Sequence, residues 1–202
     1  MYTALVDSSV LYKVFTGNLL LFLSQTELFK ICWTSDIQRE CVETAIKKKP
    51  QIPRNKIEAK WEKINANFLD SLITGYEPLI SHLEFSDPSD RHVIAAAIKA
   101  GADVIITEDK AFFSETLAEN LIAQHADDFI VDQFDLSSNS QDLVLIAFIR
   151  HKKSLTTSRP TWKKYLALIH KNLPKTYEEI NTIVIKTNLK KLLRQPPGED
   201  LE

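Results

Sequence analysis

The chain has 202 residues, of which 44% are hydrophobic and 26% charged, with a formal net charge of −2 and two cysteines. That is enough apolar material for a packed core of one domain plus an extension, which excludes wholesale disorder. No aliphatic and aromatic run, Leu19 to Leu23 among them, comes near the length of about 20 that a membrane span needs. No basic-then-apolar leader precedes Asp7, and Cys32 and Cys41 are too few for a disulfide framework, so a cytoplasmic protein with no membrane association is expected.

In chain order, Thr3 to Val6 is short, apolar and β-rich and runs straight into Asp7. Helical stretches follow as far as about Phe29, with an interruption expected near Gly17-Asn18. Lys30 to Trp33 reads as a second strand. Thr34-Ser35-Asp36 opens a helix carrying Ile37, Cys41, Val42 and Ala45 at helical spacing. After the proline-bounded break from Lys47 to Pro53, a long helix is expected over 54–73 and a third strand near Pro78 to Ser81. Asp87-Pro88-Ser89-Asp90 announces the next helix, which runs through Val93 to Ile98 and stops at Gly101. Asp103 to Thr107 has the pattern of a buried strand; a helix around Ser114 to Ile122 and a last strand-like run, Phe129-Ile130-Val131, follow.

Strands alternating with helices indicate an α/β domain with a mainly parallel central sheet, expected over 1–136. From 137 to 195 the pattern is helical only, in pieces at 141–154, 160–172 and 176–194 with breaks at Thr156-Thr157-Ser158 and Pro174. Residues 196–202 read as a tail, and its last two residues, Leu201-Glu202, look like a cloning remnant. The net charge hides an asymmetry: residues 1–149 carry −9 and residues 150–195 carry +10.

Four acids could carry chemistry. Asp7 and Asp109 each follow a strand, at the sheet edge where open parallel sheets bind ligands. Asp90 lies in the first turn of the helix before the Asp109 strand, and Glu40 lies about two turns into an earlier one. An aspartate ending a buried strand must be paired or bind something. Taken singly the others have plainer readings: Asp90 as half of a capping box, Glu40 on a solvated face, Asp87 as an N-cap, His92 as a packing or capping residue, and Ser9 and Thr107 as turn hydroxyls. Two carboxylates about 5 Å apart repel by roughly 3 kcal/mol at an effective dielectric of 20. A divalent cation would relieve that. Carboxylates and hydroxyls suit Mg²⁺ or Mn²⁺, and no zinc spacing of Cys or His is present.

Together these motifs resemble a known family. The run Ala4-Leu5-Val6-Asp7-Ser8-Ser9-Val10-Leu11-Tyr12 is similar to the opening of PIN domains. Thr34 to Glu40 fits the family's second motif. Asp87-Pro88-Ser89-Asp90-Arg91-His92-Val93-Ile94-Ala95-Ala96-Ala97-Ile98, with Gly101 to Asp109, looks like its middle and end. The resemblance covers roughly residues 2–135 and points to the bacterial branch that includes VapC-type toxins of toxin–antitoxin modules. It implies a central parallel sheet and a Mg²⁺- or Mn²⁺-dependent endoribonuclease site made of Asp7, Glu40, Asp90 and Asp109. Ser9 and Thr107 would be supporting hydroxyls, and Arg91 would brace the pocket or a phosphate. Many PIN domains have Asn at the position of Asp109, so the pocket here is expected to be more acidic. The partners implied are an RNA substrate, with transfer and ribosomal RNA as options, a cognate antitoxin protein and, as a further option, a second copy of the chain. The basic segment has three readings: a solvated face, an RNA contact through Lys163, Lys164 and Lys171, or a surface for the antitoxin or self-association. The alternatives to a nuclease are a catalytically silent PIN module that binds RNA or protein, and a receiver-like domain, for which no middle-strand phosphoacceptor is evident.

Overall fold

A computed structural model describes residues 1–85, 87–114, 117, 120–156 and 158–187. The chain forms two compact units, Met1–Ala126 and a second from Asp127 onward; the division expected from the sequence, at 136/137, lies ten residues further on.

In the first unit, strand β1 (Thr3–Val6) leads into helices α1 (Ser8–Leu11) and α2 (Val14–Ser24). Strand β2 (Lys30–Thr34), helices α3 (Ser35–Lys48) and α4 (Arg54–Asn67), strand β3 (Leu72–Ile73) and the one-turn helix α5 (Glu77–Ile80) come next. A 3-10 turn at Pro88–Asp90 precedes helix α6 (Arg91–Ala100), followed by β4 (Val104–Ile106), α7 (Ala111–Ser114) and β5 (Ile122–Gln124). Among the described residues the strands make one sheet, all parallel, in the order β3-β2-β1-β4-β5. The α/β expectation holds. β1 and β4 are buried along their whole length, as central parallel strands covered on both faces must be. The chain leaves β1 towards β2 on one side and reaches β4 on the other, so the strand order reverses between β1 and β4. A crevice opens at the carboxyl ends of such a pair.

Several elements differ from the sequence reading. Gly17 does not break a helix; it sits inside α2, and the interruption falls at Tyr12-Lys13. A Cβ at Gly17 would stand 2.7 Å from the Leu11 carbonyl oxygen, so glycine is there to let α2 pass close over α1. The helix expected over 54–73 ends at Asn67, and the third strand is Leu72–Ile73, seated by the Trp33 N–H donating to the Ser71 carbonyl at 2.9 Å. Two residues are too short to show strand periodicity. Pro78 opens α5 instead of joining a strand, in keeping with its missing N–H. In place of a helix over 114–122, α7 ends at Ser114 and Ile122–Gln124 is an edge strand; Glu115, Thr116, Ala118 and Glu119 lie outside the described residues.

In the second unit, helix α8 (Ala126–Asp132) takes the place of the strand expected at 129–131. Phe129, Ile130, Gln133 and Phe134 are buried, which is a helical rather than an alternating pattern. Helices α9 (Ser140–Ser154), α10 (Trp162–Asn172) and α11 (Pro174–Thr187) follow. Asp127 caps α11, accepting from the backbone of Lys175 and Thr176, both at 2.9 Å. Tyr165 and Ile169 are the buried positions of α10, and Trp162 and Leu166 are half-buried. Thr157, the remainder of the helix expected to 194 and the tail at 196–202 lie outside the described residues.

Candidate active site

Parallel pairing sets Val6 opposite Ile106, so the next residues, Asp7 and Thr107, meet at the carboxyl edge of the two central strands. The Asp7 N–H donates to the Ile106 carbonyl at 3.0 Å, which extends the ladder by one bond and fixes the aspartate. Asp7 is 6% exposed, and its carboxylate accepts four hydrogen bonds. Oδ1 takes the Ser8 N–H at 2.6 Å; Oδ2 takes the Ser9 hydroxyl at 2.6 Å, the Ser9 N–H at 3.3 Å and the Thr107 hydroxyl at 2.9 Å. A buried charge needs this degree of support. Ser9 and Thr107 in turn accept from the backbone of Glu108 and Asp109, both at 3.0 Å, so the β4 loop is tied to the β1 loop through the two hydroxyls. The Asp109 Oδ1 also accepts from the Ala111 N–H at 2.9 Å and starts α7.

Asp87 and Asp90 behave differently although they are three residues apart. Asp87 caps the 3-10 turn, accepting from the Ser89 backbone at 2.8 Å and its hydroxyl at 2.7 Å, and these bonds hold its carboxyl below the usual range. Asp90 occupies the N-cap position of α6 without making a side-chain cap bond. Its carboxyl is pushed up to about 6, first by burial and then by the charges of Asp87, Asp109 and Asp7. Asp7, Asp90 and Asp109 therefore share one electrostatic neighbourhood.

Glu40 has a partner the sequence did not reveal. The His92 Nε2 lies 2.8 Å from Glu40 Oε1, joining α6 to α3. Partial burial works against the Glu40 charge. Hydrogen bonds from His92 and Ser8, with the charges of His92 and Arg39, outweigh burial and hold the carboxyl below its usual range. Burial likewise disfavours the imidazolium of His92, but the Glu40 bond and the charges of Glu40, Asp36 and Asp7 push it up. The contact is an ion pair when His92 is protonated, the state that the raised imidazole favours. Arg91, expected to brace the pocket or a phosphate, donates from Nη2 to the Phe85 carbonyl at 3.3 Å, ahead of the 3-10 turn that carries Asp90. Lys163, Lys164 and Lys171 stand exposed on α10 in the second unit.

The donor set suits a hard divalent cation: carboxylates and hydroxyls, without thiolate. Both cysteines, Cys32 and Cys41, are buried with thiols raised by that burial, and they take no part. The upward shift of Asp90 records negative charge that a cation would neutralise. Among the described residues no three His, Cys, Asp or Glu side chains already meet at ion-holding distances. The fit to a cation therefore rests on the chemistry of the donors and not on a preformed cage.

Residues 3–111, more than half of the chain, match the family model described as PIN domain. The chain is also 34% identical over 95 residues to a protein of Mycobacterium tuberculosis (strain ATCC 25618 / H37Rv) named "Putative ribonuclease VapC50". That alignment covers 44% of this chain and 56% of the relative, so the chain spans just over half of that protein's length. No solved structure matches the chain significantly. With the parallel sheet and the match over both central strands, the chain belongs to the PIN domain family.

Proposed function

We propose that the protein is a Mg²⁺- or Mn²⁺-dependent endoribonuclease, the toxin of a toxin–antitoxin pair, with Asp7, Glu40, Asp90 and Asp109 as its acidic site. The observation that carries the reading is the Asp7 carboxylate, buried at the carboxyl ends of β1 and β4 and held by Ser9 and Thr107; its charge, together with that of Asp109, acts on the Asp90 carboxyl. PIN nucleases generally use divalent metal ions, and the similarity to a VapC-type protein supports an RNA substrate and a cognate antitoxin.

A Mg²⁺ or Mn²⁺ ion held by these carboxylates would supply a Lewis acid that offsets charge on the scissile phosphodiester and acidifies a water. The chain's own work is positioning. Ser9 and Thr107 fix the Asp7 carboxylate by donating to Oδ2. His92 holds Glu40 from α6, so the two helices present that acid together. The Asp109 backbone bond to Thr107 keeps the fourth acid on the same loop as its supporting hydroxyl. Lys163, Lys164 and Lys171 are proposed to contribute phosphate affinity to a body whose own charge is negative.

Purified wild-type protein should cleave single-stranded or looped RNA with Mg²⁺ or Mn²⁺, leaving 5′-phosphate and 3′-hydroxyl ends. Excess EDTA or Asp7→Asn should abolish cleavage. Undiminished cleavage in EDTA by a nuclease-free preparation would refute the metal mechanism. Metal-loaded protein that binds RNA without cutting any of a panel of cellular RNAs would favour the silent module.

A further inference from the structure

The short helix α7 carries two adjacent phenylalanines in opposite environments. Phe112 is 2% exposed and packs on Phe85 with ring centroids 5.0 Å apart, which anchors the helix. Phe113 is 42% exposed. Its ring lies on the imidazole of His125, with centroids 4.2 Å apart and planes 26° from parallel, and the His125 side chain is itself 45% exposed. The two rings stack face to face, so the pair meets solvent through its outer faces and edges, with the Phe113 ring the more firmly anchored by its neighbour.

Its location gives that surface a meaning. Phe113 follows β4 and His125 follows β5, so the rings stand on the carboxyl edge that also carries the acids. The His125 Nδ1 is 3.5 Å from Glu108 Oε2, and the Glu108 N–H donates to the Ser9 hydroxyl that holds Asp7. Lys13 Nζ, 3.8 Å from Glu108 Oε1, puts a cation on the same rim. The geometry points to a nucleobase-stacking platform made of Phe113 and His125, which takes one base of a single-stranded RNA beside the scissile phosphate.

This inference rests on the ribonuclease reading and names how the substrate strand is gripped. A single strand entering an acidic crevice must splay its bases, and an aromatic face replaces the stacking it loses. The outer face of a stacked pair offers area for one base, which would extend the stack, whereas a protein-docking patch runs to several hundred Å². The neighbours Glu108, Asp109 and Lys110 are exposed and charged, which suits the hydrated rim of a nucleotide subsite more than an apolar protein contact.

The test uses the full chain carrying Asp7→Asn, so that no cleavage interferes, with a fluorescein-labelled adenylate strand of about 12 nucleotides. A matching strand with abasic sugars serves as the second probe. Adding Phe113→Ala should weaken binding of the adenylate strand by at least about 5-fold and leave the abasic strand unchanged within about twofold. Phe113→Leu, which keeps apolar bulk without a π face, should behave like Phe113→Ala, and Phe113→Trp should restore affinity. Equal affinity of the Phe113→Ala protein and its Asp7→Asn parent for the adenylate strand would overturn the platform alone. Equal weakening on both strands would also overturn it, since the effect would then lie in backbone contacts or folding. Absence of any binding by the Asp7→Asn parent would instead overturn the ribonuclease reading on which the platform stands.

Discussion

Asp90→Asn should stabilise the ion-free protein even though it alters the best-defined motif of the chain. The Asp90 carboxyl titrates at about 6 against an ordinary value of 3.8, because burial and three neighbouring carboxylates oppose its ionisation. A shift of about two units corresponds to about 3 kcal/mol at 1.36 kcal/mol per unit. Asp90 is only half-buried, so solvent screening leaves about 1–2 kcal/mol. Because the folded value lies above the unfolded one, the cost is complete above the folded value, falls as pH drops through 6 and is gone near 3.8. Asparagine removes the charge and breaks no side-chain cap, since Asp90 makes none. In EDTA at pH 8 the variant should therefore melt about 2–8 °C above wild type, with the gap shrinking at pH 5. Saturating Mn²⁺ should reverse the order by mass action, because wild type gains more from the ion. Asp87→Asn is the internal control and should lose stability, since its carboxylate accepts two bonds from Ser89. A variant that melts at or below wild type at pH 8 without metal would refute the shared-field argument for the site.

Gly17→Ala should destabilise the first unit by about 1–2 kcal/mol in urea melts, because its Cβ would meet the Leu11 carbonyl oxygen at 2.7 Å and outweigh the helix-propensity gain; an unchanged or raised midpoint would show that α2 can retreat at no cost. The contribution of the Glu40–His92 pair to ion-free stability should be full between about pH 4.5 and 6.5. The lowered Glu40 value makes it fade as pH falls below that window and the raised His92 value as pH climbs above it, so melts of His92→Gln against wild type should show a gap that narrows on both sides. For RNA binding by the Asp7→Asn protein, about four phosphate contacts would give a slope of log K on log salt near −3, or about a 50-fold loss from roughly 50 to 200 mM. Reversing Lys163, Lys164 and Lys171 to Glu should flatten that slope in anisotropy titrations, provided circular dichroism shows the helices intact, and an unchanged slope would leave those lysines as a solvated face or a partner surface.

What was legible in the sequence follows from how each element is stabilised. The central strands β1 and β4 are continuous apolar runs because both faces are covered, and they read directly. Helix α6 was equally clear, with Asp87 and Pro88 before it and Gly101, at φ 60°, closing it in the left-handed region. The edges of the sheet were not legible. β3 is two residues long and β5 three, and their place is set by the backbone of a neighbouring strand: Leu72 and Ile73 pair with Trp33 and Thr34, and Ile122 to Gln124 with Val104 to Ile106. Gly17 misled for a related reason. Its helix-breaking tendency is local, while the approach of Leu11 that requires it is tertiary.

The site divides along the same line. Asp7, Ser9, Thr107 and Asp109 could be placed because each follows a legible central strand, and parallel register then obliges the residue after Val6 to meet the residue after Ile106. Glu40 and His92 lie on helices whose rotation about the sheet no periodicity reports, so Glu40 taken singly read as a solvated acid and entered the site only through the family resemblance, and His92 read as a capping or packing residue. Their 2.8 Å bond exists only because α3 and α6 converge. Phe113 was hidden for the opposite reason. Beside Phe112 it looks like half of a core dipeptide, and only the anchoring of Phe112 on Phe85 leaves its neighbour outward against His125. A parallel sheet thus announces its acids at the strand ends and conceals the residues that aim them. The Glu40–His92 pair and the Phe113–His125 surface are therefore where mutagenesis tests what the motif alone could not supply.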